Sequence, residues 1–138
     1  MAIIFNISLT STSTMEAHKE VVKLVIESVK EAFNVDISNQ EKLIFSKLEE
    51  PKDVTSPGLS IPCFIFGKFI KPKGKVDFKI HVETIAKTLQ PILENKLKDS
   101  KIFKKIVAEG PYLNFAFTSW YLGQIITLLR ENKLQDIL

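Results

Sequence analysis

The chain has 138 residues, 45% hydrophobic and 25% charged, with 5 Gly, 6 Pro and one Cys. That length makes one compact domain with a sizeable core, and the composition excludes disorder, collagen-like repeats and disulfide scaffolds. Cys63, His18 and His81 are too few to build a structural zinc site, a lone thiol points to a reducing, cytoplasmic compartment, and no apolar run is long enough for a membrane span.

The net charge of +3 identifies no polyanionic partner by itself. Its distribution is more informative. Residues 66–81 hold Lys68, Lys71, Lys73, Lys75 and Lys79 against Asp77, and residues 96–105 hold Lys96, Lys98, Lys101, Lys104 and Lys105 against Asp99, so each window carries +4 and the remainder carries −5. Eighteen of the 19 basic residues are lysine, a point charge suited to phosphate but without the bidentate fork of arginine. A solvated lysine-rich surface is the plain alternative.

In chain order, the apolar opening AIIFNISL lacks the basic flank and small-residue cleavage site of a secretory signal, and residues 1–13 read as a flexible lead. A helix begins near Thr14, where Ser13 and Glu16 are spaced as a capping box, and Val22, Val25, Ile26, Val29 and Phe33 give it one apolar face up to a stop at Asn34. Ser38 and Glu41 repeat the capping pattern ahead of a short helical turn. The β-prone runs LIFSKL (43–48) and LSIPCFIF (59–66) predict two strands joined by the polar turn EEPKDVTSPG, and Pro62 assigns the second to a sheet edge or a bulge. GKFIKPKGK (67–75) reads as a mobile basic loop.

Val82, Ile85, Ala86, Leu89, Ile92, Leu93 and Leu97 recur at helical spacing, with a kink or break expected at Pro91. KIFKKIVAE (101–109) and YLNFAF (112–117) are strand-like on either side of Gly110-Pro111. Thr118 or Ser119 caps a last helix whose buried face is Leu122, Ile125, Ile126 and Leu129. The pattern predicts an α+β fold, a small antiparallel sheet of about four strands packed with three to four helices, in one domain over residues 1–138.

Catalytic chemistry is thin. Cys63 lies in an apolar run where a buried thiol is the common outcome, both histidines are at helix starts, and the glycines at 58, 67, 74, 110 and 123 are too scattered for a phosphate loop. Glu49, Glu50 and Asp53 read as a solvated turn. The segment AEGPYLNFAF (108–117) is different, because a strand after the Gly110-Pro111 turn puts Leu113, Phe115 and Phe117 on one face and Tyr112 and Asn114 on the other, about 7 Å apart. A ring beside a primary amide can read an unstacked base, the ring by stacking and the amide as donor and acceptor; a Tyr and an Asn that merely finish a sheet surface are the alternative.

The runs PKDVTSPGLSIPCFIFGK (51–68), ETIAKTL (83–89) and KIVAEGPYLNFAF (105–117), in this order and spacing, resemble the N-terminal additional domain of arginyl-tRNA synthetases over roughly residues 43 to 126. The His-Gly-Asp usual in that family's turn falls on Ser56-Pro57-Gly58, and its Leu-Ala-Lys on Phe66-Gly67-Lys68. The resemblance implies a domain that grips the tRNA(Arg) elbow, where the D-loop presents an unpaired base. Tyr112 would pack on that base, Asn114 would hydrogen-bond its edge, Gly110 would allow close approach with Glu109 beside it, and Lys104, Lys105, Lys71, Lys73 and Lys75 would contact phosphate. It further implies a probe of tRNA with no cofactor in these residues, no DNA or membrane partner and a monomeric state. ATP and aminoacylation would belong to a class I catalytic domain toward which residues 118–138 lead, so that the fragment is not itself an enzyme. The competing expectation is a protein-interaction module that assembles a synthetase complex through an apolar helix face.

Overall fold

The computed structural model describes residues 12–49 and 57–137; the apolar lead, the turn at 50–56, the Ser13 side chain and the Leu129 side chain fall outside the described set. Helix α1 (Thr12–Phe33) buries Val21, Val22, Val25 and Val29. It ends where the sequence predicts: Asn34 adopts φ 57° and its N–H donates to the Lys30 carbonyl at 2.9 Å, a left-handed cap that asparagine tolerates. Asp36 then accepts the Ser38 N–H at 2.9 Å and starts a 3-10 turn, Ser38–Gln40, so the aspartate does what the sequence assigned to Ser38.

The run expected as a first strand, residues 43–48, is largely helical: α2 spans Glu41–Lys47. Ile44 is buried, Phe45 and Leu48 pack against the core, and the Phe45 ring lies 5.3 Å from that of His18 on α1. Positions 44 and 48 share a helix face, whereas a strand would have put Leu43, Phe45 and Lys47 on one side, so packing on α1 overrides β-propensity. What remains of the expected pairing is a single bridge, Glu49 to Ser60, with backbone bonds of 3.0 and 2.7 Å.

The sheet has three strands, β1 (Gly58–Pro62), β2 (Phe103–Glu109) and β3 (Tyr112–Phe117), all antiparallel in the order β1-β3-β2. Among the described residues the fold is therefore α+β, with a small antiparallel sheet of three strands, where about four were expected, and four helices. β1 is an edge strand, as Pro62 requires. Gly110 has φ 55° and precedes Pro111, so the β2–β3 connection is a two-residue hairpin with glycine at the position that needs positive φ. The register places Leu59, Ile61, Ile106, Leu113, Phe115 and Phe117 on one face, all at most 2% exposed, with Phe103 stacked on Phe117 and edge-to-face with Phe115.

Helix α3 (Phe78–Lys96) covers that face with Val82, Ile85, Ala86, Leu89 and Leu93. It runs on through Pro91 without the expected break: Pro91 is exposed, so the Lys87 carbonyl that loses its partner is on the wet side, and the buried residues continue on both sides of it. Gln90 accepts the Ala108 N–H of edge strand β2 at 2.8 Å and donates to Glu94 at 2.8 Å, tying helix to sheet. Lys96 pairs with Glu31 at 2.7 Å and Glu27 at 3.6 Å on α1. Helix α4 (Ser119–Ile137) begins with Thr118 as cap, whose Oγ1 accepts the Tyr121 N–H at 3.1 Å and donates to the Lys101 carbonyl at 2.6 Å. Among its described side chains the buried ones are Tyr121 and Ile125; Ile126, expected inside, is 45% exposed. Tyr121 displaces it because its ring packs on Phe117 at 5.0 Å, rotating the buried stripe toward the start of the helix.

Candidate nucleic-acid interface

The strand pairing that buries the aromatic face also fixes which residues lie on the other face, where Gly58, Ser60, Pro62 and Ala116 are themselves buried. Three rows cross it: Pro62, Tyr112 and Glu109; Ser60, Asn114 and Val107; Gly58, Ala116 and Lys105. Tyr112 and Asn114 are thus neighbours on the central strand, as the alternation predicts, and both are half-buried. Ser60, 3% exposed, donates from Oγ to Asn114 Oδ1 at 2.7 Å. That bond holds the amide in one orientation and leaves the Nδ2 donors for an outside acceptor. Tyr112 is not isolated either; it takes part in an interaction of its own besides the backbone pairing.

At the hairpin, the chain uses Gly110 for conformation. A Cβ there would meet only Glu83 Oε1, at 3.9 Å, so the requirement is the positive φ and not a close approach. Glu83 from α3 and Glu109 from β2, which is exposed, make the turn locally acidic. The countercharge lies in the following segment. The Cys63 N–H donates to the Pro111 carbonyl at 2.7 Å, which roots the 3-10 turn Cys63–Ile65 and the chain after it beside the hairpin. Residues 71–80 are all exposed and include Lys71, Lys73 and Lys75. His81, 7% exposed, pins the start of this loop by donating from Nε2 to the Ile70 carbonyl at 2.7 Å. It is at a helix start, as expected, and buried.

The structure therefore gathers Glu109, Gly110, Tyr112, Asn114 and the root of the lysine loop at one end of the sheet. Lys105 shares the outward face but sits beside Ala116, about 13 Å along the strand from Tyr112, and Lys104 occupies the irregularity between Phe103 and Lys105. The second lysine window is less positive than its sequence suggests, because Lys96 is neutralised by Glu27 and Glu31. Ser60, Glu83 and Trp120 were not singled out by the sequence. Ser60 becomes visible only through the β1–β3 register, and Glu83 only through the position of α3.

Cys63 is fully buried, and burial pushes its thiol up to about 12, so it stays protonated near neutral pH. Among the described residues no three His, Cys, Asp or Glu side chains converge as metal ligands, and no helix is long and apolar enough to cross a membrane. Comparison with protein-family models, with curated proteins and with solved structures gives no match for this chain.

Proposed function

We propose that this chain is a tRNA-binding domain appended to an arginyl-tRNA synthetase, recognising the D-loop and elbow of tRNA(Arg) in support of arginylation by a separate catalytic domain. The observation that carries the reading is the outward pair Tyr112 and Asn114, the amide oriented by Ser60, at the end of the sheet where the lysine loop is rooted. The phenol offers a face or edge to an extruded base, worth about 1–3 kcal/mol where stacking is complete, and the amide tests the base edge. Lys71, Lys73 and Lys75 face phosphate and give affinity and register without sequence information. Lys105, four residues up the same face, reaches a phosphate further along the RNA, and Glu109 accepts from a base amino group or a neighbouring lysine.

The test is tRNA titration at two salt concentrations. Tyr112→Ala weakens binding more than Lys73→Ala does, while Lys73→Ala lowers the salt slope by nearly one and Tyr112→Ala leaves it in place. The reverse ranking removes Tyr112 from the interface. The assembly-module alternative needs an apolar stripe; among the described side chains of α4 the exposed apolar ones, Trp120 and Ile126, are six positions apart, about 120° around the helix.

A further inference from the structure

Trp120, the only tryptophan of the chain, is 58% exposed in the first turn of α4. A ring of this size left in water is an unused contact surface, because indole is among the side chains with most to gain from burial. Two shallow, open depressions each have Thr118 in their wall beside it. One, of about 410 Å³, is lined by Lys101, Thr118 and Trp120; the other, of about 400 Å³, has Lys98, Lys104, Lys105 and Ser100 in its wall. All four of these lysines are exposed, and among the described residues none forms an ion pair, in contrast to Lys96. Among the described residues of the two linings Glu94 is the one carboxylate.

We infer that this cleft binds an unpaired nucleotide of an RNA strand, the base against the Trp120 indole and the flanking phosphates at Lys101, Lys104 and Lys105. The volume is at the low end of small-molecule sites and admits one nucleotide, not a duplex. Lysine ammonium groups suit phosphate oxygens, and an aromatic face accepts any base, so the contact is tolerant of sequence. A free nucleotide has the same chemistry, but four unpaired lysines over eight residues outnumber the charges of one phosphate and match a chain of them. The cleft lies at the far end of β2 from the hairpin and shares with the proposed elbow contact only Lys104 and Lys105, so it deepens the RNA-binding reading without requiring Tyr112.

Because Trp120 is the sole indole, its emission reports on this cleft alone. The full chain is titrated with a non-self-complementary six-nucleotide RNA, with an abasic oligomer of the same length and charge, and with AMP. The RNA quenches Trp120 saturably; the abasic oligomer and AMP each bind about tenfold or more weakly, and the abasic oligomer leaves the emission unchanged. By anisotropy of a labelled RNA, Trp120→Ala loses about tenfold in affinity, Trp120→Phe retains most of it, and Lys101→Ala with Lys104→Ala lowers the salt slope by about 1.4. Circular dichroism confirms that each variant is folded. RNA binding without a change in emission, equal quenching by the abasic oligomer, or tighter binding of AMP than of the RNA overturns the inference. An emission shift that follows protein concentration without RNA also overturns it, since the indole would then be covered by a second copy of the chain. Tyr112→Ala preserves the quenching, so loss of elbow recognition and loss of this cleft are read separately.

Discussion

Gly58 opens the edge strand that supports Asn114, and its lack of a side chain is a packing requirement. A Cβ at this position would overlap the Phe115 carbonyl oxygen and lie 2.8 Å from its carbon and 3.0 Å from the Ala116 Cα. Every one of these atoms is backbone of the central strand, so no rotamer change relieves the contact. β1 must retreat from β3, and the nearest bond at risk is that from the Phe117 N–H to the Pro57 carbonyl, 2.9 Å. Overpacking of a close-packed region costs about 1–3 kcal/mol, and a buried backbone group left unpaired about 1–3 kcal/mol more. Gly58→Ala is therefore expected to lose about 2–6 kcal/mol, which lowers a urea midpoint by roughly 1.3–4 M at a slope of about 1.5 kcal/mol/M. Gly123 is the internal control: it lies within α4, nothing is within 4 Å of its added Cβ, and no positive φ is involved. Gly123→Ala raises stability by about 0.5–1 kcal/mol through helix propensity. Equilibrium urea unfolding of the two variants beside the parent checks both signs, and a Gly58→Ala midpoint within about 0.5 M of the parent would refute the steric reasoning.

Thr118→Ala removes the cap acceptor of Tyr121 and the donor to Lys101, and is expected to cost about 1 kcal/mol, seen as a melting temperature lower by about 3–5 °C; an unchanged melt would contradict the capping role. Cys63 gives a pH signature. Its folded thiol titrates near 12, whereas in the unfolded chain it ionises near its ordinary value of about 8.5–9, so above that value the folded state holds the extra proton and stability falls as pH rises. Between pH 9 and 10 the parent should lose about 1 kcal/mol more than Cys63→Ala; Tyr121, whose phenol burial also pushes up, begins to contribute toward pH 10 but does so equally in both proteins and drops out of the difference. Parallel slopes for the two proteins would show that burial of the thiol has been overstated.

Local signals in the sequence were enough for α1, α3, the β2–β3 hairpin and the Thr118 cap, because each combines helical or alternating spacing with a specific terminator: Asn34 at φ 57°, Gly110 at φ 55°, and a threonine before an apolar run. Residues 43–48 were misread because a six-residue apolar run has no period long enough to separate strand from helix, and the deciding contact, Phe45 and Ile44 against α1, is tertiary. At Pro91 the helix continues where a kink or break was expected and does not break, since the cost of the missing amide depends on whether the Lys87 carbonyl can reach water, and exposure is not written in the local sequence. At the candidate interface the face shared by Tyr112 and Asn114 followed from alternation alone. The bond from Ser60 to Asn114 joins residues 54 apart in sequence and needed the register of β1 on β3. The separation of Lys104 and Lys105 from the hairpin end was implicit in strand rise, but their grouping with Trp120 around Thr118 required α4 to be in place.

The central claim, that this domain reads the folded elbow of a tRNA, is tested most directly by nucleotide-resolution footprinting of tRNA(Arg) with the 138-residue chain. The account predicts protection of D-loop and elbow nucleotides that disappears with Tyr112→Ala. Protection confined to the anticodon arm, or an elbow footprint unchanged in that variant, would contradict it.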